Sequence, residues 1–342
     1  MNRRWICTDV WMDIFPHFDH AHLGLKLALL SDRFDILVDK HFDGKSELTI
    51  WSKIKICKAI DAEMPTMSVS INNYANSIQF SLPDHSLPNK IRFNDLLICY
   101  IDHSVLAFLR ANQQIWDKGT NLHLDVVRNN NSNIAQPICD VLPREIWPIF
   151  VPNIRRLSFF VTDLDKLRRR ISPTILTDLK RLNSICSWDL LPDVIGYDGQ
   201  NATAGQALAK WLHTPGKDGK PKRLRCFGFQ DPSINIDQWI NNFKEAFLRA
   251  TTSSASHILS LRLAASAQIM PFELVNERTR EKLTLEKEPN HNWLLKRCQI
   301  GQIVQWKDGN LTDNLNNVII RLGGNINWIG PLSPPTADQN NE

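Results

Sequence analysis

The chain contains no H-E-x-x-H pair, no paired C-x-x-C, no G-x-S-x-G elbow and no glycine-rich loop ending in Gly-Lys-Ser/Thr. Those absences remove the common sequence routes to a zinc hydrolase, an α/β-hydrolase and a P-loop nucleotide enzyme. No run reaches the eighteen or more apolar residues of a membrane span. Charge of one sign is also scarce: 40 basic against 36 acidic residues leave a net charge of only +4. The basic clusters "KLRRR" (166–170) and "KDGKPKRLR" (217–225) are short, so solvated faces are expected, not a nucleic-acid surface. The seven cysteines are odd in number and form no framework, the usage of reduced core residues in cytoplasm or nucleus. The basic start "MNRR" meets Asp9 and Asp13 before any adequate apolar stretch, so no signal peptide is expected.

One stretch does hold metal-ligand residue types. In "HFDHAH", His17, His20 and His22 stand beside Asp13 and Asp19. Zinc needs ligands converging on one point, and helical sites use spacings that put imidazoles on one face. Pro16 ends the preceding helical pattern, and no fourth ligand is supplied nearby, so a polar turn between helices is expected. Gly196, Gly199 and Gly205 in "IGYDGQNATAG" likewise lack phosphate-loop spacing, and a plain loop leading into a helix at Thr203 is expected. No catalytic residue, cofactor or metal is assigned.

The flanks of that turn are patterned. Val10, Trp11, Ile14 and Phe15 recur at helical spacing, with Thr8 as N-cap and Asp9 in the first turn. Leu23, Leu27, Leu30, Phe34, Leu37 and Val38 continue the period, with Ser31 as an internal N-cap. Three helices this small need a partner or a following domain to cover their apolar faces.

The segment "ICTDVWMDIFPHFDHAHLGLKLALLSDRFDILVDKHF" resembles an F-box. Ile6 takes the first apolar position, Cys7 stands where proline is usual, and Asp9, Val10, Ile14 and Phe15 follow. Leu23, Leu27, Ser31, Arg33, Phe34 and Leu37 fill the later positions. "KWLHTP", "DKGTNLHLDV" and "PFELVNERTREKLTLEKEPNHNWLLKRCQI" are similar to the region that follows the F-box in proteins greatly expanded in nematodes. The resemblance implies a substrate-recognition adaptor of a Skp–cullin–F-box ubiquitin ligase. It implies contact with the Skp-type adaptor, and through it cullin, by Ile6, Val10, Ile14, Phe15, Leu23, Leu27, Phe34 and Leu37. An unknown protein target would bind the rest, with no role for membrane or nucleic acid. The alternative is a stand-alone interaction module whose F-box-like segment is a structural cap.

The remainder reads as α/β. Alternating apolar residues mark strands in "LLICYI" (96–101), "NLHLDVV" (121–127), "IRRLSFFV" (154–161), "LNSICSW" (182–188), "RLRCFGF" (223–229) and "HILSLRL" (257–263). Helical segments lie between them: "SVLAFLRANQQIW", "TAGQALAKWLHT" and "IDQWINNFKEAFLRA". Strand and helix in irregular alternation predict parallel pairing in a leucine-rich-repeat-like array; a closed α/β domain is the alternative. "PFELVNE", "REKLTLEKE" and "NWLLKRCQI" predict an antiparallel sheet closing the open edge at "HILSLRL". Residues 68–90 read as a loop-rich connection. The expected organisation is a three-helix F-box-like segment at 1–44, an α/β target-binding region at 45–300 and a partly disordered tail at 301–342.

Overall fold

The computed structural model describes residues 6–18, 22–43, 50–57, 65–70, 77–83, 86–87, 92–116, 120–125, 142–216, 219–227, 235–263, 269–288, 292–304 and 316–321. Helix α1 (Thr8–Ile14) opens the chain, capped in extended geometry by Cys7 without a side-chain hydrogen bond. Thr8 is therefore the first helical residue and not the cap that its side chain suggested. Pro16 sits in a 3₁₀ turn (Phe15–His17) that ends the helix. The Leu23–Leu27 run is π-helical and passes into a 3₁₀ turn (Ala28–Leu30), so the middle of the expected three helices is not a regular α-helix. Helix α2 (Asp32–Asp43) then begins where Ser31 Oγ accepts from the Phe34 amide at 3.4 Å.

Among the described residues thirteen strands form one mixed sheet. At one edge lie β1 (Ile50–Cys57), β2 (Thr66–Ser70) and β3 (Ser77–Ser81), joined antiparallel. Two of these strands, β2 and β3, fall where a loop-rich connection was expected. Strand β4 (Arg92–Ile98) runs parallel to β1. Then β5 (Thr120–Asp125), β6 (Ile154–Phe160), β7 (Ser184–Trp188), β8 (Lys222–Phe227) and β9 (His257–Arg262) lie side by side in chain order, all parallel. Strands β10 (Phe272–Asn276), β11 (Glu281–Lys287) and β12 (Asn292–Gln299) form an antiparallel meander, and β12 pairs with β9. The meander closes the edge that the sequence pattern assigned to it.

A further strand was not expected. Residues 316–321, within the stretch read as a tail, form β13 (Asn316–Arg321), which inserts between β4 and β5 and is parallel to both. The chain thus returns to the middle of its own sheet. The more distal 329–342 lie outside the described residues.

Helices connect the parallel strands. They are α3 (His103–Ala111), α4 (Gln113–Trp116), α5 (Trp147–Phe150), α6 (Val161–Arg170), α7 (Ile175–Asp178), α8 (Ala204–His213) and α9 (Ile236–Arg249). The row Leu122, Leu157, Ile185, Leu224, Leu259 is buried, as are Phe159, Cys226 and Leu261. They pack with Leu106, Leu109, Leu164, Leu208, Trp211, Phe243 and Phe247 of the helices in one continuous core. The alternate residues of β5–β9, from Asn121 and Arg156 on, point to the opposite face of the sheet, and among the described residues none of them belongs to this core. Phe15, Leu23, Ala28, Leu37, Val38 and Phe42 form a second, separate core in the N-terminal helices.

Candidate functional site

The N-terminal unit sorts the eight residues that the resemblance assigned to an adaptor. Phe15 and Leu23 are fully buried and Leu37 nearly so, all within the unit's own core. A side chain that already fills an interior is unavailable to a partner, so these three are corrected to structural residues. Leu27 and Phe34 are half-buried and pack against the same core; Ile14 is half-buried. Ile6 and Val10 are each 46% exposed. Leu30 and Ile36, exposed by two thirds, and Phe18 are not among the eight. Ile36 carried a signal: it interrupts the polar side of α2, whose inner face is Leu37, Val38, His41 and Phe42.

Geometry ties the exposed residues together. Arg33 Nη2 donates to the Ile6 carbonyl at 2.8 Å, which sets the start of α1 beside the first turn of α2. Ile36 lies three residues after Arg33 on that side, and Val10 four after Ile6. Trp11 stacks edge-on to Phe34 at 4.9 Å and fixes the angle of the two helices. His17 is exposed at the end of the 3₁₀ turn, and His22 lies against Phe80 of β3 at 6.0 Å. Asp19 and His20 fall outside the described residues. No cluster of three or more metal-ligating side chains occurs among the described residues.

The second candidate surface is the face of β5–β9 opposite the main core. Register places Asn121, Arg156, Ser184 and Arg223 in one row, and His123, Ser158, Cys186 and Arg225 in the next. Trp188 and Phe227 follow, 5.7 Å apart, with His123 edge-on to Trp188 at 5.4 Å and Arg225 over Phe227 at 5.8 Å. Except for Ser158, which is buried, these side chains are half-buried. Aromatic rings set among arginines are the residue types that dominate protein interfaces. Past β9 the face closes: Ile258, Leu294 and Cys298 are covered by Val304 as the chain leaves β12.

Burial pushes the Cys186 thiol up to about 12, outweighing the opposing pull of Arg225 and of a hydrogen bond with Ser158. Cys226, fully buried behind it, is also raised to about 12 by burial. Neither supplies a thiolate at neutral pH.

The glycine-rich loop of 190–203 packs on α8. A Cβ on Gly196 would meet the Lys210 backbone at 2.6 Å, and one on Gly205 would meet the Asp193 carboxylate at 2.5 Å. Thr203 and Gln206 form a reciprocal cap at the start of α8. In "KLRRR", Lys166, Arg169 and Arg170 are exposed as expected, but Arg168 is buried. It donates to the carbonyls of Ala202 at 2.6 Å, Gly199 at 3.1 Å and Pro173 at 3.2 Å, holding this loop in place.

No family model matches the chain, and no curated protein or solved structure is significantly similar to it. No helix among the described residues is long and apolar enough to cross a membrane.

Proposed function

We propose that this protein is a non-catalytic substrate-recognition adaptor of a Skp–cullin–F-box ubiquitin ligase, acting in cytoplasm or nucleus. Its N-terminal helices dock on the Skp-type adaptor, and a leucine-rich-repeat-like α/β array takes a protein target. The observation that carries the reading is the exposed apolar set Ile6, Val10, Leu30 and Ile36 on a unit with its own core. Leaving Leu and Ile in water on so small a unit is unfavourable unless another surface covers them. The F-box-like spacing of Asp9, Val10, Ser31, Arg33 and Phe34 names the kind of surface. Arg156, Arg223, Arg225, Trp188 and Phe227 support a protein target on the array, since such residues anchor interfaces.

The test is co-purification of the full chain with a Skp-type adaptor. Val10→Asp combined with Ile36→Asp places charges on exposed positions, so circular dichroism should stay unchanged while binding falls at least tenfold. Undiminished binding by the folded double variant would sink the assignment. A second reading has one observation in its favour. His22 and Lys26 both lie against Phe80, with Lys26 Nζ 5.4 Å from the ring, so the helical unit also packs on the sheet edge. A stand-alone interaction module with a purely structural cap would show this contact and no adaptor binding.

A further inference from the structure

Near the β1–β3 edge of the sheet two cysteines from neighbouring strands stand side by side. Strands β1 and β4 are parallel, in register at Lys55↔Leu97 and Ile56↔Ile98. The next step of that ladder sets Cys57, the last residue of β1, opposite Cys99, the first residue past β4. The Cys99 amide donates to the Ile56 carbonyl at 2.9 Å, so the two strands are still joined at this step. Ile54, Ile56, Leu96 and Ile98 belong to the main core, which puts the alternate positions Lys55, Cys57, Leu97 and Cys99 on the other face. Both cysteines are half-buried thiols outside any disulfide. Lys55, on the same face, is exposed, so solvent reaches this end of the sheet.

Spacing decides what two such thiols can do. Neighbouring strands lie about 4.8 Å apart, inside the roughly 4.4–6.8 Å between Cα atoms that a disulfide spans. The preferred Cβ separation is shorter, about 3.8 Å, so closure needs the two backbones to lean together. A pair in mid-strand resists that movement, but here β1 ends at Cys57 and β4 at Ile98. The strain that remains makes the bond easier to reduce, which is the property of a reversible disulfide. Cys186 and Cys226 are the contrast. They too lie on adjacent strands, but register sets Cys186 opposite Arg225 and Cys226 opposite Ser187, so the two side chains leave opposite faces. Burial also raises both of those thiols to about 12.

We propose that Cys57 and Cys99 form a redox-modification site, closed to an intramolecular disulfide by a small disulfide oxidant of the glutathione disulfide class. In the first step one cysteine thiolate attacks the S–S bond of the oxidant, forming a mixed disulfide and releasing one glutathione thiolate. The second cysteine thiolate then attacks the protein-bound sulfur and displaces the other glutathione. Two protein S–H bonds and the S–S bond of the oxidant are lost. One protein S–S bond and two glutathione S–H bonds are gained, so the protein is oxidised by two electrons and glutathione disulfide is reduced by two. The new bond closes a loop that contains β2 and β3, and so ties the β1–β3 edge to the parallel strands. Phe80 of that edge carries His22 and Lys26 of the N-terminal unit, so oxidation fastens the part of the sheet on which the unit rests.

The test treats the folded full chain with glutathione disulfide, traps the remaining thiols by alkylation and maps the peptides by mass spectrometry. A Cys57–Cys99 link is expected, outnumbering glutathione adducts on the two residues by about tenfold, because the second thiol is already in place. Dithiothreitol should restore both thiols. Cys57→Ser and Cys99→Ser, each with unchanged circular dichroism, should keep a glutathione adduct on the cysteine that remains. A lasting adduct on Cys57 or Cys99 in the parent chain would overturn the proposal, because the partner thiol would then be out of reach. Linkage of either residue to a different cysteine would also overturn it, as would no oxidation of either while exposed Cys7 reacts. So would a Cys57–Cys99 link that forms only after the chain is unfolded in urea.

Discussion

Single residues hold this fold at places where the sequence gives no warning. His257 is completely buried and His213 largely so, and both are kept neutral by burial, with Arg297 adding to it. On unfolding, both return to the ordinary histidine value near 6.5. Their folded values are lowered, so stability is full above pH 6.5 and is lost as pH falls toward 4. The loss reaches at most about 1.4 kcal/mol per pH unit for each histidine. Urea midpoints measured from pH 7 to 4 should show His213→Gln flattening the slope by up to one proton relative to the parent. An identical slope would mean that His213 is solvated in the folded chain. Gly196 is the second such residue. Its missing Cβ admits the Lys210 backbone, so Gly196→Ala should cost about 1–3 kcal/mol in thermal or urea unfolding. Neither residue was legible beforehand, because both depend on contacts brought from other elements. Arg168 taught the same lesson: its neighbours in "KLRRR" are solvated, and only the position of loop 199–202 makes it a clamp.

Elements were far more legible than residues. The strands β5 to β9 were readable because one face alternates Leu, Ile and Phe with polar residues, and that period is imposed by the pleat itself. Thr203 and Gln206 announced α8 through spacing alone; Thr203→Ala should cost about 1 kcal/mol, checked by thermal denaturation. The meander β10–β12 was readable in pattern and in place, since Leu283 and Leu285 bury one face and the open edge at β9 needed a partner. Strand β13 was not read. "NNVIIR" has a strand's composition, but its neighbours β4 and β5 lie about two hundred residues earlier, and no local pattern names them. Truncation after Val304 should therefore cost more than truncation after Pro331. The first removes a strand with two partners and leaves β4 and β5 with unpaired backbone edges, which invites aggregation. The second removes only the distal polar stretch. Solubility and urea unfolding of both truncations check this, and equal stability of the two would contradict the insertion of β13.

At the scale of the molecule, two cores divide the labour. The large one runs from Ile54 to Leu295 as a single cluster, so its strands and helices should unfold together. The small one holds Phe15, Leu23, Leu37 and Val38 inside and leaves Ile6, Val10, Leu30 and Ile36 outside. The amphipathic period took in Val10 and Leu30 together with the inner residues and left out Ile36, and at 23–30 π and 3₁₀ turns replace the regular helix on which such a period rests. Within the regular helix α2, Leu37, Val38 and Phe42 face inward and Ile36 outward. The central claim is that this outer set meets a Skp-type adaptor. Hydrogen–deuterium exchange of the full chain with and without the adaptor tests it most directly. The account predicts new protection in residues 6–14 and 30–37, with the face of β5–β9 unchanged; no new protection, or protection confined to the sheet, would contradict it.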